Sequence, residues 1–144
     1  ARAGRHKYPF SLCLIEIDDS DEFRNRFGEK EWRRALMKIA GKLSEQVRDT
    51  DLLGRYNENQ FLALFLQADA KQSLVPAVRI NRAMEAVSIG PDTLYKTSLS
   101  FGISCYPDDV SEVGGLFSLC SAALKKSRER GRGMVTIASS LFRR

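Results

Sequence analysis

Two neighbouring stretches decide the fold of this chain: Arg48-Asp49-Thr50-Asp51 and, six residues after Asp51, Asn57-Glu58-Asn59-Gln60-Phe61. The apolar segments 52–56 and 61–66 flank the second stretch and predict two strands. The four-residue connection between them, 57–60, is rich in asparagine, which tolerates a positive φ angle. The pattern therefore predicts a β-hairpin that is immediately preceded by the charged segment 48–51.

Outward from the hairpin, the remaining segments alternate between strand and helix patterns. Residues 10–17 predict a central strand, followed by a short helix that ends at Gly28 and by a second, longer helix. The other predicted elements are helix 69–87, strand 97–106, helix 116–130 and strand 134–137. The order β-α-α-β-β-α-β-α-β predicts an α/β (α+β) domain, in which a central mixed, mostly antiparallel five-stranded sheet is flanked by helices.

Composition limits the class of protein. No run approaches eighteen apolar residues and no signal-peptide pattern is present, so we expect no membrane contact by this segment. Cys13, Cys105 and Cys120 lie far apart in apolar patterns, which predicts reduced core thiols and a cytoplasmic protein. The formal charge of +5 favours an anionic partner. We divide the chain into a basic flank, 1–9, interpreted as the remnant of a linker with His6 as an exposed tail residue, and one domain, 10–144.

The hairpin and its surroundings resemble the GGDEF domain of diguanylate cyclases. The Gly-Gly-(Asp/Glu)-Glu-Phe turn of that family falls on 57–61, where Phe61 alone agrees. Other landmarks follow in register without gaps: Ile15-Glu16-Ile17-Asp18, Gly28, the strand 98–104, and Ala123-Leu124 ahead of Gly131-Arg132. The resemblance covers most of the chain and implies a nucleotidyl cyclase-like fold.

The resemblance also implies that the catalytic turn is degenerate. The two carboxylates that hold Mg²⁺ in the family correspond to Glu16 and Asn59, and an amide carries no net charge to bind the metal. Asn57 and Glu58 place side chains where the family has glycines, which let the backbone approach a nucleotide. Gln60 is the fourth departure in this turn.

The positions at which the family recognises guanine carry arginine here, namely Arg24 and Arg33. Guanine presents N–H donors at this edge and needs acceptors, whereas a guanidinium group has five donors and no acceptor. The phosphate-contacting Lys and Arg of the family correspond to Arg128 and Arg132. We therefore predict a protein that is not an enzyme, with no catalytic residue, no metal site and no Mg²⁺ cofactor.

The Arg48-x-x-Asp51 motif matches the inhibitory site at which the family binds cyclic di-GMP. An arginine can donate to guanine O6 and N7, and an ionised aspartate can accept from the N1–H edge. Arg79 corresponds to a second arginine that contacts this ligand in the family. Because cyclic di-GMP commonly binds as an intercalated pair, two domains can be bridged. The resemblance therefore implies a cyclic di-GMP receptor that forms a ligand-bridged homodimer and signals to other domains of the full-length protein.

Three alternatives remain open at this point. The domain could be a dimerisation or protein-docking element without a nucleotide, or a weakly active diguanylate cyclase. Arg48 and Asp51 could instead form an ordinary exposed ion pair, worth under about 1 kcal/mol. The basic run 125–132 contains no interleaved aromatic residue, so we interpret it as a helix end and expect no nucleic-acid partner.

Overall fold

The computed structural model describes residues 8–91 and 94–142. The proposed flank, including His6, lies outside these residues except for Tyr8 and Pro9. The main elements are β1 Phe10–Ile17, α1 Ser20–Gln46, β2 Leu52–Asn57, β3 Gln60–Leu66, α2 Ala70–Met84, β4 Leu99–Tyr106, α3 Leu116–Arg130 and β5 Val135–Ile137. Short 3₁₀ turns cover Val113–Gly115 and Ala138–Phe142.

The five strands form one mixed sheet in the order β2-β3-β1-β4-β5. All neighbouring pairs are antiparallel except β4 and β5, which are parallel. Helices α1 and α2 pack on the face that carries Cys13 and Ile15, and α3 packs on the opposite face against Leu14. The predicted α/β (α+β) architecture with a mostly antiparallel five-stranded sheet is therefore confirmed.

The apolar pattern predicted the buried face of α1 but not that of α2, which buries Ser73, Ala77, Ile80 and Met84 rather than the predicted stripe of Leu74, Val78, Ala83 and Val87. Trp32 is 1% exposed. All three cysteines are buried free thiols, and burial raises the pKa of Cys120 to about 12. No helix in the described residues is both long and apolar enough to cross a membrane.

A break at Gly28 divides α1 into the two predicted helices. Gly28 has φ 87° and ψ 171°, a conformation that L side chains rarely adopt. The predicted end of α2 was wrong, because the helix ends at Met84 rather than residue 87. Pro76 also lies in the second turn of α2 rather than near its start.

The hairpin turn is tighter than predicted, and its mechanism differs. Asn57 pairs with Gln60 across the strands, so the turn contains two residues rather than four. Its residues do not have positive φ angles; among the described non-glycine residues, these occur only at Asp19 and Gln67. Side-chain hydrogen bonds shape the turn instead, because Asn57 Oδ1 accepts from the Asn59 N–H at 3.1 Å and Asn57 Nδ2 donates to Gln60 Oε1 at 2.6 Å.

Candidate functional site

A cleft of about 720 Å³ opens where the end of β1, the start of α1, the hairpin turn and the last turn of α3 meet. We call it the large cleft. It brings together four residues that the sequence had placed in a degenerate site: Glu16, Asn59, Arg128 and Arg132. The other positions that the sequence placed in this site do not line the cleft, namely Arg24, Arg33, Asn57, Glu58 and Gln60.

The carboxylate of Glu16 is engaged on both oxygens by other side chains. Arg128 Nε lies 2.9 Å from Glu16 Oε2, and Gln60 Nε2 donates to Glu16 Oε1 at 2.7 Å. The Glu16 side chain is only 10% exposed. A buried carboxylate requires such partners, because an unpaired charge in this position would be strongly destabilising.

Asp18, the second acidic residue of the β1 end, has a structural role that the sequence analysis missed. It accepts hydrogen bonds from the hydroxyls of Ser98 and Ser100 and, at 2.8 Å, from the backbone N–H of Gly133. Asp18 thereby ties β1 to β4 and to the segment before β5. Ser98, just before β4, and Ser100, within it, were the signal, since polar residues at alternate positions of a central segment must find buried partners.

The residues of the large cleft do not fit a divalent cation. Glu16 Oε1 accepts a hydrogen bond and Oε2 forms an ion pair, and both oxygens of Asp18 accept hydrogen bonds from protein donors. The Asn59 amide is uncharged and donates to Ser20 Oγ at 3.2 Å. Among the described residues, no three His, Cys, Asp or Glu side chains are grouped so that they could hold a metal ion. Mg²⁺ prefers several anionic or carbonyl oxygens in octahedral geometry.

Arg24 and Arg33 do not line the large cleft. The guanidinium of Arg24 lies over the Trp32 ring, 5.1 Å from its centroid, and forms ion pairs with Glu29 at 3.4 Å and Glu58 at 3.3 Å. Glu58 therefore connects the hairpin turn to α1. Arg33 is exposed on α1.

The carboxylate of Asp51 accepts four hydrogen bonds, three from its ion-pair partner Arg48 and one from the Leu66 N–H. Asp51 Oδ1 accepts from Arg48 Nη2 at 2.9 Å and from the Leu66 N–H at 3.3 Å. Asp51 Oδ2 accepts from the backbone N–H and Nε of Arg48 at 3.0 and 3.1 Å. The Asp51 side chain is 3% exposed and that of Arg48 is 57% exposed. The pair is therefore not the ordinary exposed ion pair of the alternative interpretation.

The structure brings Arg48, Asp51 and Arg79 together in a second cleft of about 230 Å³, which we call the arginine cleft. Arg79 Nη2 donates to the backbone carbonyl of Gln46 and so joins α2 to the end of α1. Gln67 and Gln72 also line this cleft, and no motif in the sequence had marked them as site residues. Gln67 has φ 55°, and backbone strain of this kind is concentrated at ligand sites.

The Asp51 ion pair predicts a pH-dependent contribution to stability. Burial raises the pKa of Asp51, but hydrogen bonds from Arg48 and Leu66 and the Arg48 charge outweigh burial and hold that pKa below its ordinary value. A carboxyl with a lowered folded-state pKa stabilises the fold above its unfolded pKa, and this stabilisation is lost as the pH falls through the folded value.

Asp51→Asn is therefore expected to lower the free energy of unfolding by about 1–3 kcal/mol at pH 7. The difference from the wild type should shrink below about pH 4, in urea unfolding curves recorded across that range. Asp49→Asn is the matched control, because Asp49 is exposed two residues away. A difference that is constant between pH 7 and the acid limit would contradict the assignment.

A family model described as the diguanylate cyclase GGDEF domain matches residues 1–134. The chain belongs to the GGDEF family. Diguanylate cyclase A of Treponema denticola is 24% identical over 139 residues, which are 96% of this chain and 38% of the relative. Diguanylate cyclase DosC of Escherichia coli K12 is 26% identical over 141 residues, 95% of this chain and 30% of the relative. The GGDEF chain thus spans about a third of the length of these relatives.

Solved GGDEF domains share the fold. The GGDEF domain of TpbB (YfiN) from Pseudomonas aeruginosa is 25% identical with a TM-score of 0.86, and the match covers 95% of this chain and 81% of that one. The GGDEF domain of DgcB from Caulobacter crescentus, in complex with c-di-GMP, is 18% identical with a TM-score of 0.84, and the match covers 96% and 82% of the two chains.

Proposed function

We propose that this GGDEF domain is a non-catalytic receptor for cyclic di-GMP, which binds at the arginine cleft. The observation that carries the proposal is that Arg79 meets Arg48 and Asp51 in one cleft, although it comes from a separate part of the sequence. The complex of the related DgcB domain with c-di-GMP supports this class of ligand. Two phosphates and two guanine bases suit a cleft that contains two arginines.

Arg48 is the residue best placed to contact the ligand. Its Nε and Nη2 groups are held by Asp51 and Leu66, whereas Nη1 has no hydrogen-bond partner among the described residues. The guanidinium plane is therefore fixed before binding, which lowers the entropy cost of stacking on a purine or donating to its O6 and N7. Asp51 can accept from guanine only if one of its four present donors moves away.

Four departures from the family pattern support the non-catalytic part of the proposal. Arg24 and Arg33 offer donors where a guanine-reading site needs acceptors. Arg24 is in addition held by Glu58, which stands in the turn where the family has glycine. The amide of Asn59 supplies no charge for a metal. These changes affect base recognition, backbone approach and metal binding at the same time.

The proposal extends to assembly and signalling. A ligand pair held by arginines from two copies would form a homodimer, so ligand concentration would control dimerisation. The signal would pass to other parts of the longer protein in the cytoplasm. A docking element without a nucleotide is the second candidate, and it is favoured by two exposed apolar residues beside the arginine cleft, Val75 and Val78, which are 63% and 47% exposed.

Calorimetric titration of the intact chain with cyclic di-GMP tests the proposal. We expect saturable binding with a Kd of about 1–10 μM, which corresponds to about 7–8 kcal/mol. Incubation with GTP and Mg²⁺ or Mn²⁺, followed by chromatography, should yield no cyclic dinucleotide. Absence of binding heat would favour the docking element, and a cyclic product would show a weakly active cyclase.

A further inference from the structure

We infer that the Arg128 guanidinium occupies the position of the divalent cation in this GGDEF domain and serves as the permanent counter-ion of Glu16. The Arg128 side chain therefore prevents Mg²⁺ from binding in the large cleft. The inference concerns a different site from the arginine cleft, so it stands whether or not cyclic di-GMP binds there.

The first support is the charge balance of Glu16. Its side chain is 10% exposed, so its negative charge needs a nearby cation. Arg128 supplies that cation from the last turn of α3, with Nε 2.9 Å from Oε2. Gln60 donates to the other oxygen. A metal ion at Glu16 would therefore have to displace this ion pair and the Gln60 hydrogen bond.

The second support is that Asp18 and Asp19, the two carboxylates that follow Glu16 at the end of β1, are already engaged by other residues. Asp18 is saturated by Ser98, Ser100 and Gly133. Asp19 forms its own ion pair with Arg132, with Nε 2.7 Å from Oδ2. Two of the acidic residues that line the large cleft are thus paired with its two arginines, while Asp21, Glu22 and Glu129 also line it.

The pairing has a consequence for anions as well. A phosphate that recruited Arg128 would leave Glu16 buried without its counter-ion, and an uncompensated buried charge is costly. Arg128 is 60% exposed and can be reached from solvent, but it can serve either Glu16 or a ligand. The Glu16–Arg128 pair therefore works against metal ions and metal-free phosphates alike.

The inference is tested by measuring how a divalent cation changes the melting temperature, Tm, of four proteins. Asn59→Asp supplies a second anionic side chain in the cleft, and Asn59→Asp with Arg128→Ala also removes the counter-ion. Each protein is heated with about 5 mM MnCl₂ and with NaCl of equal ionic strength, because a ligand that binds only the folded state raises Tm. Wild type and Lys126→Ala, which changes an exposed lysine of α3 outside the cleft, are the controls.

We expect MnCl₂ to raise the Tm of the double variant by about 3–5 °C. Wild type, Lys126→Ala and Asn59→Asp alone should show no rise relative to NaCl. An equal rise in Asn59→Asp alone, or no rise in the double variant, would overturn the inference. If the double variant does not fold, Mn²⁺ binding by the other three proteins is measured by electron paramagnetic resonance of free Mn²⁺. Binding by wild type or by Asn59→Asp at sub-millimolar Mn²⁺ would overturn the inference. Absence of binding by both would support the inference.

Discussion

Arg48→Ala is expected to weaken cyclic di-GMP binding about 100-fold, which corresponds to about 2.7 kcal/mol. The Arg48 guanidinium is exposed in the arginine cleft and is fixed in orientation by three hydrogen bonds to neighbouring acceptors. A bidentate arginine–guanine contact contributes about 1–3 kcal/mol, and loss of a phosphate-binding charge adds to this. The measurement is the Kd from calorimetric titration, compared with that of wild type.

Arg82→Ala is the matched control for this prediction. Arg82 lies on α2, one turn beyond Arg79, and does not line the arginine cleft. The control removes the same charge from the same side of the domain, so it isolates the local contact from general attraction of an anion. We expect Arg82→Ala to change the Kd less than about threefold. Similar losses in both variants would point to non-specific electrostatics rather than a site.

A second comparison separates binding from folding. Arg48→Ala also leaves the Asp51 carboxylate buried without its cation, so its Tm must be measured beside the Kd. Arg48→Lys keeps the positive charge near Asp51 but lacks the planar fork. We expect Arg48→Lys to retain most of the stability and still bind at least about tenfold more weakly. Unchanged binding by Arg48→Lys would place the recognition of guanine elsewhere.

The sequence predicted the order of the elements because local residues, such as glycine and proline, mark where each element begins and ends. Helix α3 was bounded correctly as Leu116–Arg130, since the apolar pattern ends at Gly131. The break at Gly28 was predictable for the same reason. The conformation of the hairpin turn was not predictable. Asparagine can form a turn either through a positive φ angle or through hydrogen bonds of its side-chain amide, and the same sequence is compatible with both.

The candidate sites were only partly predictable, because their decisive contacts join distant residues. Register with the family placed Glu16 and Arg128 in one site but gave no sign that they pair with each other. The motif spacing placed Arg48 beside Asp51, yet the burial of Asp51 depends on the Leu66 N–H at the end of β3. The burial of a side chain and its ion-pair partner depend on tertiary packing, which the spacing of residues along the sequence does not specify.

The second large effect concerns stability and the position of α3. Gly102→Ala is expected to lower the free energy of unfolding by about 3 kcal/mol, and to lower Tm by about 10 °C. A Cβ atom at residue 102 would lie 2.2 Å from the Cys120 carbonyl oxygen and 2.3 Å from the Leu124 nitrogen. Both atoms belong to the backbone of α3, so no side-chain rotation can relieve the clash.

To accommodate the added methyl group, helix α3 would have to move away from β4. Arg128 lies on the same helix, so the displacement should also weaken its ion pair with Glu16. The control is Gly41→Ala on α1, where a Cβ meets nothing within 4 Å and should raise stability by up to about 1 kcal/mol. Thermal and urea unfolding of both variants measure the contrast. A Gly102→Ala protein as stable as wild type would mean that α3 does not pack this closely on β4, and the Glu16–Arg128 geometry would then lose its support.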